Sequence, residues 1–530
     1  MRKKNTKART PAGFKNSGYS EGGAGHKSPG MAAYRPLKLS PKADIGANLE
    51  VLRNRASDLS INTPIGSAII ATSTQYTVGS GLKLFPKVRA DILGMSDDEA
   101  DAWNKKAARE FDLWASSKLC DIRERNNFYD LQEILYRTYL VDGDSFAIFR
   151  RVYNPNMPYT LRIQSLEGNR VSNPNSGAFS SLQVEVKNPD NGNRIINGVE
   201  IDANGAVVAY HISNRVIWDP TDIDMHTEWH RVKAVGDLMG MPNVLQICHD
   251  ERPEQYRGVP YLAPVIETLK QVSRYTSAEL TSAIMKSFFS IFFVSTENTR
   301  SIDDLLPDGE YEDPNEPVVD PGMYELGPGT TNALPKGVDV KSIEQSNAQS
   351  TFEPFTKELI KQIAAAINQP YEVLMKSFNS SYSASRAALL QAWEQYKTRR
   401  AWFARDFCQP VYEMWLAEAV ANGRIEAPGF FSDHLAHYAY CNSEWYGPSM
   451  SILDPVKDIN GATLRIAAGV STPEREAAEM TGSNFEENLK VIKRNFAQMM
   501  DAGIMPCNVD IIAATTEGGE TDEQVLENKE

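Results

Sequence analysis

The sequence contains few cysteines and no hydrophobic run long enough to cross a membrane. Its 530 residues include five cysteines, and these are far apart along the chain. An odd number of scattered cysteines does not suit a disulfide framework and favours a reducing compartment. The longest strongly apolar run, from Phe288 to Val294, is far shorter than the roughly 20 residues of a membrane-spanning helix. We therefore predict a soluble protein, assembled in a cytosol, with no membrane partner.

Motifs for phosphate binding and catalysis are also missing. The chain has neither the G-x-x-x-x-G-K-[ST] loop that cradles triphosphates nor a G-x-G-x-x-G turn for dinucleotides. Ser80 and Lys83 match S-x-x-K, but the S-D-N and K-T-G partners of that motif are absent, so chance explains the match. His434, His437 and Cys441 have helical spacing but lack the further ligands of a zinc site. The sequence predicts no enzyme, no cofactor and no metal.

The charge of the chain is acidic overall and unevenly distributed. Lys and Arg number 55 against 69 Asp and Glu, a formal net charge of -14. A chain with this balance does not hold nucleic acid by net positive charge. Residues 1–40 are basic and rich in Gly, Ser and Pro without an apolar segment, which predicts a disordered tail and not a signal peptide. Residues 516–530 form an acidic tail that we also expect to be disordered.

The first half of the chain combines helical and strand patterns. Between Asn48 and Leu84 the spacing predicts two helices separated at Pro64 and followed by a glycine turn. A capping box from Ser96 to Glu99 opens an amphipathic helix, and another helix is expected from Phe128 to Val141. Several β-rich runs follow, with a type I′ hairpin expected at Asn204-Gly205. Residues 41–259 therefore read as an α+β body.

The second half is mostly helical. After Gly258-Val259-Pro260 an uninterrupted helical pattern continues to Ile291. The segment from Glu297 to Glu325 then holds ten acidic residues and one basic residue, and it is too polar to form an ordinary core. A second helix is expected to begin with Ser350 as N-cap and to stop before Pro370.

A polar loop, KSFNSSYSAS, leads into a third long helix. This helix begins at Arg386 and is expected to be kinked at Pro410. Its aromatic residues are predicted to be core or subunit-interface residues: Trp393, Tyr396, Phe403, Phe407 and Trp415. Three shorter helices are expected at 456–468, 474–480 and 485–500. Because two long helices joined by an acidic insertion cannot bury both of their faces alone, we expect an oligomer, most simply a ring.

The order and spacing of several stretches are similar to those of lambda-type portal proteins of tailed bacteriophages. The resembling stretches, which span roughly residues 49–500, include LRNRASDLSINTPIGSAI, RPEQYRGVPYLAPVIETLKQVSRYTSAEL, DPGMYELGPG and SYSASRAALLQAWEQY. The carboxy-terminal stretch DPVKDINGATLRIAAGVSTPEREAAEMTGSNFEENL also resembles this family. Ala384 departs from the serine run of the family's Tyr-Ser-Ser-x-Arg pattern.

The resemblance implies a non-enzymatic portal fold assembled as a ring of twelve subunits at one capsid vertex. A separate terminase would pump double-stranded DNA through this ring, which would also contact the major capsid protein or scaffold and head-tail connector proteins. Carried over to this chain, the family's parts are a wing (41–259), a first stem helix (260–294), an acidic clip (295–349), a second stem helix (350–369), a tunnel loop (370–385), a long wing helix with its continuation (386–445) and a helical crown (446–515).

Two sets of residues are then expected to serve the channel. The tunnel loop would touch the DNA backbone through short polar groups, namely Lys376, Ser377, Asn379, Ser380, Ser381 and Tyr382. The clip would line the channel or dock terminase through its acidic residues, namely Asp303, Asp304, Asp308, Glu310, Glu312, Asp313, Glu316 and Asp320. An acidic wall repels phosphates, so a polyanion can pass without being trapped.

Two other classes of function are weighed against this interpretation. A serine peptidase of capsid maturation would have Ser80 and Lys83 as its only anchors, and a serine-reactive probe would label it. A structural neck or capsid protein without a DNA channel would form rings or shells that lack a through-hole. The absence of such labelling, together with a ring seen in negative stain, would dismiss the peptidase, and class averages would show whether the ring has a through-hole.

Overall fold

The fold is a mixture of α-helices and short β-strands. A computed structural model of the chain describes the following residues: 36–174, 183–216, 226–237, 240–287, 291–293, 331–333, 349–378, 382–449, 455–483 and 485–501. Within them, no helix combines the length and the apolar character needed to cross a bilayer. The predicted α+β class is confirmed.

Fourteen α-helices are found in the described residues. They are α1 (Leu49–Asn62), α2 (Pro64–Thr77), α3 (Ala90–Leu93), α4 (Asp97–Ala115), α5 (Phe128–Asp142), α6 (Ile266–Ser287), α7 (Gln349–Ala366), α8 (Tyr371–Met375), α9 (Tyr382–Phe403), α10 (Gln409–Ala421), α11 (His434–Cys441), α12 (Pro455–Ala467), α13 (Pro473–Thr481) and α14 (Phe485–Asp501). The helices expected near 456–468, 474–480 and 485–500 are therefore confirmed to within a residue.

The strands of the described residues form four small sheets. They are β1 (Lys83–Pro86), β2 (Asp144–Arg151), β3 (Leu161–Glu167), β4 (Glu185–Lys187), β5 (Arg194–Ile196), β6 (Val199–Ile201), β7 (Val207–Ser213), β8 (Trp229–Lys233), β9 (Val244–Cys248), β10 (Ile291–Phe293), β11 (Thr331–Ala333) and β12 (Ser443–Tyr446). The sheet orders are β3-β2-β9, β4-β5-β6-β7-β8, β1-β12 and β10-β11. All pairs are antiparallel except β10 with β11.

Local sequence signals set several helix ends. Ser96 accepts a hydrogen bond from the backbone N–H of Glu99, and the Glu99 carboxylate accepts from the backbone N–H of Ser96, which completes the predicted capping box of α4. Asn127 and Asp130 form the same arrangement at the start of α5. That helix ends at Gly143, whose φ of 87° is a left-handed conformation that glycine adopts without steric cost.

The main core lies between α4, α5 and the long helical run from α9 to α10. The Phe111 ring of α4 makes edge contacts with Phe128, Tyr412 and Trp415, at centroid distances of 5.1–5.8 Å. All five aromatic residues predicted for the long helix are buried in the described chain. Because their rings are covered by other side chains, they build the core and offer no platform for base stacking.

The long helix contains a π-helical segment where the sequence predicted a kink. Residues Ala404–Cys408 have π-helical hydrogen bonding, and α10 begins immediately afterwards with Pro410 as its second residue. Because proline has no N–H to donate, the change of hydrogen-bond register just before Pro410 lets the helix continue past it. The local irregularity therefore precedes the proline.

The hairpin at Asn204-Gly205 forms, but its turn differs from the predicted type I′. Gly205 has a φ of 88°, whereas Asn204 is not among the residues with positive φ, as type I′ would require of it. The Asp202 carboxylate accepts hydrogen bonds from the backbone N–H groups of Asn204 and Ala206, which holds a wider loop. The register of β6 and β7 shifts between Glu200 and Ile201, so a longer connection replaces the two-residue turn.

The helix that follows Pro260 is shorter than predicted. A 3-10 turn at Ala263–Val265 leads into α6, and α6 ends at Ser287. Ile291–Phe293 is a strand paired in parallel with Thr331–Ala333, so the expectation that helix continues to Ile291 is wrong. The β-branched and aromatic residues of this apolar run favour a strand where a pairing partner is available.

The second helix and the loop after it also begin differently from the prediction. Helix α7 starts at Gln349, so Ser350 lies inside the helix and is not its N-cap. The segment 370–385, predicted as one loop, contains helix α8 and the first residues of α9. Helix α8 ends at Met375 and α9 begins at Tyr382, so much of the predicted loop is helical.

Candidate functional site

The connection between α8 and α9 is anchored at its beginning by buried residues of α8. Leu374 is 3% exposed and belongs to the main core, while Val373 packs in a smaller cluster with Ala392, Trp393 and Tyr396 of α9. Helix α8 ends at Met375, and its C-cap residue Lys376 has a left-handed φ of 52°. The backbone N–H groups of Lys376 and Ser377 both bond to the carbonyl of Glu372. The chain therefore leaves α8 from a fixed point.

The predicted loop residues are only partly within the described structure. Lys376 is exposed and Ser377 is half-buried at the end of α8. Tyr382 is the first residue of α9, and Asn379 to Ser381 lie outside the described residues. The structure therefore places the two ends of this segment and leaves the role of its side chains as a prediction.

Two apolar side chains beside this polar loop were missed by the sequence reasoning. Met375 is 39% exposed and Phe378 is 46% exposed, on either side of Lys376 and Ser377. Phe378 was visible in the sequence as an apolar residue within the KSFNSSYSAS run. The surface at the start of the connection is therefore mixed, with a lysine between two exposed apolar groups.

The eight acidic residues predicted for the clip, from Asp303 to Asp320, lie outside the described residues. The chain on either side of this region is held together by the parallel pairing of β10 and β11, in which Phe292 is opposite Asn332. A parallel pair requires a long connection between its strands. The acidic segment is part of that connection.

A charged cleft lies between α9 on one side and α12 and α13 on the other. Its volume is about 590 Å³. Two ion pairs lie along it: Arg386 with Asp458 at 2.7 Å, and Arg465 with Glu476 at 2.6 Å. Because Arg386 belongs to α9 and Asp458 to α12, the first pair fixes the terminal helices to the helix that follows the loop.

Arg400 joins α9 to two other parts of the chain. Its guanidinium donates hydrogen bonds to the backbone carbonyls of Tyr76, Thr77 and Pro448, and it lies 5.3 Å from the centre of the Trp393 ring. Burial lowers the pKa of Arg400 to about 10, so the group stays protonated at neutral pH. Arg400 therefore holds α2, α9 and the segment after β12 in one arrangement.

The two motifs that were rejected as catalytic or zinc sites lie at positions typical of surface or packing residues. Ser80 is exposed in the turn after α2 and Lys83 is exposed at the start of β1, and neither bonds through its side chain to another described residue. The His437 ring packs 4.5 Å from the centre of the Phe430 ring, and its Nδ1 lies 3.8 Å from Cys441 Sγ. Across the described part of the chain, no three His, Cys, Asp or Glu residues are grouped to hold a metal ion.

The comparisons with known proteins agree on one family. The family model described as "Phage portal protein, lambda family" matches residues 27–400. Portal protein B of Escherichia phage lambda is 23% identical over 505 residues, covering 92% of this chain and 91% of its own length. The portal protein of Escherichia phage N15 is 24% identical over 519 residues and covers 92% of both.

Structural comparison gives a weaker likeness. The neck of a native gene transfer agent particle, solved with C12 symmetry, aligns with a TM-score of 0.39 and 13% identity over 80% of this chain and 92% of that chain. This score is too low for a comparison of local geometry, so the assignment depends on the sequence. Since the family model covers residues 27–400 of 530, the chain belongs to the lambda family of phage portal proteins.

Proposed function

We propose that this chain forms the ring-shaped portal at one capsid vertex, through which double-stranded DNA enters and leaves. The observation that carries the proposal is the family match over residues 27–400, together with relatives named as portal proteins along nearly their full length. The ring is proposed to have twelve subunits and to assemble in the cytoplasm of a host bacterium before it becomes part of the virion.

Exposed apolar side chains on several helices support assembly with further copies. Leu280 of α6 is 62% exposed and Phe355 of α7 is 52% exposed. In the terminal helices, Leu464 of α12 is 70% exposed and Met500 of α14 is 66% exposed. Apolar groups of this size are stabilised when a neighbouring subunit covers them. Neighbouring copies in a ring would supply that cover on every subunit.

The oligomeric state tests this proposal directly. Native mass spectrometry of the full-length protein at micromolar concentration, in near-physiological salt, should give a ring of about 700 kDa, which is twelve copies of the 59.0 kDa chain. Negative-stain electron microscopy of the same sample should show rings with a central hole. A stable monomer, or closed shells and rings without a hole, would contradict the portal function and favour a structural neck or capsid role.

Two finer roles follow within the ring. The segment between α8 and α9, from Lys376 to Tyr382, would contact passing DNA through weak and sequence-independent hydrogen bonds. The acidic segment with Asp303 to Asp320 would form the clip, where the terminase large subunit docks. Major capsid protein or scaffold, and the head-tail connector proteins, would be the other partners of the ring.

The clip assignment has its own test. Replacing Asp303, Asp304, Asp308 and Glu310 with their amides removes four negative charges without a large change in side-chain size. We expect weaker binding of the purified terminase large subunit to the ring, measured by surface plasmon resonance at several salt concentrations. The same number of amide substitutions at Asp97, Asp98, Asp101 and Asp112 of α4 is the control. Unchanged terminase affinity would remove the docking role from this segment.

A further inference from the structure

Two adjoining cavities form one groove along α9. The charged cleft between α9 and the helices α12 and α13 has a volume of about 590 Å³, and a second cavity of about 710 Å³ adjoins it. Ala401, Trp445, Tyr446 and Glu479 line both cavities. The two cavities together, called the α9 groove below, are large enough to accept a segment of polypeptide.

The α9 groove carries an excess of positive charge although the chain as a whole is acidic. Eight basic and six acidic residues line the groove, whereas the net charge of the chain is -14. Four of the acidic residues are neutralised within the groove by ion pairs, which join Arg386 to Asp458, Arg465 to Glu476, Arg475 to Glu479 and Lys87 to Glu444. Such a groove favours a partner of negative charge.

Arg400 gives the groove a cation that is bonded to neutral groups. Its half-buried guanidinium donates to three backbone carbonyls, none of which carries a charge. Glu479 is the acid whose charge acts on Arg400, but the Glu479 carboxylate also lies 3.3 Å from Arg475 Nε. A cation that is partly removed from water is stabilised by an opposite charge nearby, so Arg400 adds to the preference for an anionic partner.

The groove also has an apolar lining. Leu390 of α9 is 47% exposed, and Trp445 and Met480 line the same cleft. A ligand with both acidic and apolar groups would therefore bind better than a row of phosphates, which the carboxylates of the groove would also repel.

The acidic tail of the chain, residues 516–530, has this composition. It holds six acidic residues, one lysine and the apolar pair Val525 and Leu526. A segment so polar cannot bury a core of its own, so it can follow a groove on a folded body. The charge and the apolar content of the tail thus both match the α9 groove.

The acidic tail is tethered within reach of the α9 groove. Helix α13 lines the cleft, and α14 begins four residues after α13 ends. The 17 residues of α14 extend about 25 Å. The 14 residues between Asp501 and Thr516 can span up to about 46 Å, so they can return past the whole length of α14.

We propose that the acidic tail, residues 516–530, binds in the α9 groove of its own chain. Its carboxylates offset the positive charge of Lys397, Arg400 and Lys457, and its two apolar side chains cover the apolar lining. The bound tail keeps the groove closed to other anions, DNA included. This inference does not depend on the portal function, because the tail and the groove belong to one chain.

Lysine acetylation of the full-length protein, read by mass spectrometry, tests the proposal. The tail variant carries four substitutions that remove negative charge with little change of size, namely Glu517→Gln, Glu520→Gln, Asp522→Asn and Glu523→Gln. If the tail covers the groove for about two thirds of the time, Lys397 should be acetylated about threefold faster in the variant than in the wild type. Lys118, which is exposed after α4, is the reference and should react equally in both proteins.

The matched control removes the same number of negative charges from α4, with amides at Asp97, Asp98, Asp101 and Asp112, and should leave the acetylation rate of Lys397 unchanged. Equal acetylation of Lys397 in the wild type and in the tail variant would overturn the proposal. Protection of Lys397 that requires added double-stranded DNA would also overturn it and would assign the groove to nucleic acid.

Carbodiimide cross-linking of the full-length protein gives a second, independent measurement. This reagent joins a carboxylate directly to a lysine amine, so it links only groups in contact. We expect links from the acidic tail to Lys397 or Lys457, and in a mixture of isotope-labelled and unlabelled chains both linked peptides should carry the same label. Links confined to Lys490 and Lys493 of α14, or links between a labelled and an unlabelled peptide, would show that the tail does not bind the groove of its own chain.

Discussion

Arg257 and Asp144 form a buried ion pair with two hydrogen bonds, and Arg257 lies in the segment that leads into α6. Arg257 Nε donates to Asp144 Oδ2 at 2.6 Å and Arg257 Nη2 donates to Oδ1 at 3.1 Å. Arg53 of α1 donates to the same carboxylate at 2.6 Å. Burial alone would raise the pKa of Asp144, but the two guanidinium groups more than offset it and hold the pKa below its usual value.

The same arginine also joins the two larger sheets. Arg257 Nη1 donates to the carbonyl of Val171 at 2.7 Å and to that of Asn197, and Nη2 donates to the carbonyl of Gly168 at 2.6 Å. Asp144 opens β2 of the three-stranded sheet, while Asn197 lies between β5 and β6 of the five-stranded sheet. The direction in which the chain enters α6 is therefore set by a saturated polar network.

We expect Arg257→Met to destabilise the chain by about 3–5 kcal/mol, because it leaves a buried carboxylate with only one of its two cations. The free energy of unfolding, measured by urea denaturation of the full-length protein, checks this. Arg475→Met is the control, since Arg475 and Glu479 form an exposed pair worth about 1 kcal/mol or less. Equal losses of unfolding free energy in the two variants would show that the buried Arg257 network stabilises the chain no more than an exposed ion pair does.

Gly258→Ala should prevent correct folding of the same region. A Cβ at Gly258 would lie 1.8 Å from the carbonyl oxygen of Gly143, and the obstacle is backbone that cannot rotate away. The soluble yield and the circular dichroism melting curve are the measurements. Gly461→Ala provides the contrast, because its Cβ would meet only Arg465 Nη1 at 3.5 Å, and alanine within α12 should stabilise by about 0.5–1 kcal/mol.

Asp142→Asn should stabilise the protein more at pH 8 than at pH 5. Burial raises the pKa of Asp142 to about 6, with Arg53 opposing the shift. A carboxyl whose folded pKa exceeds its unfolded value near 4 favours folding while it is protonated in the folded state, and this contribution is lost as the pH rises through 6. The gain at pH 8 should be about 1–3 kcal/mol.

Melting temperatures of the wild type and of Asp142→Asn at pH 5 and pH 8 measure how the stabilisation depends on pH. Asp237→Asn serves as the control, since Asp237 is exposed and paired with Lys233. A stabilisation by Asp142→Asn of the same size at both pH values would mean that the titration of Asp142 is not its cause.

Adding positive charge to the loop should slow DNA packaging if the proposed tunnel role is correct. Asn379→Lys with Ser381→Lys introduces two cations per subunit, which would hold phosphates that neutral groups let slide. The ring should still assemble, because Val373 and Leu374, the buried residues of α8 that anchor the loop, are unchanged. Packaged DNA length and rate in a reconstituted terminase system are the readouts.

The matched control places the same charge outside the loop, as Asn204→Lys with Gln498→Lys at two exposed positions. Wild-type packaging by the loop variant, with well-formed rings, would show that residues 376–382 do not face the DNA. Equal slowing by both variants would show that total charge, and not the position of the loop, decides the rate.

The local elements and the family follow from the sequence alone. The capping residues Ser96 and Asn127, the break at Pro64 and the apolar stripe from Ala100 to Trp114 act within one turn or one helix, so their effect can be read from neighbouring residues. The order and spacing of the motifs likewise resemble those of the lambda portal family, and the family match confirms this.

Tertiary structure decided what depends on partners distant in sequence. Ile291 to Phe293 is a strand because Thr331 to Ala333 lies beside it, and the turn at Asn204-Gly205 is widened by the Asp202 carboxylate and the shifted register of β6 and β7. Arg257 finds Asp144 across 113 positions of the chain. Such pairings form only when the whole chain packs. A buried polar group needs a hydrogen-bond partner, and neighbouring residues in the sequence do not show which distant residue will supply it.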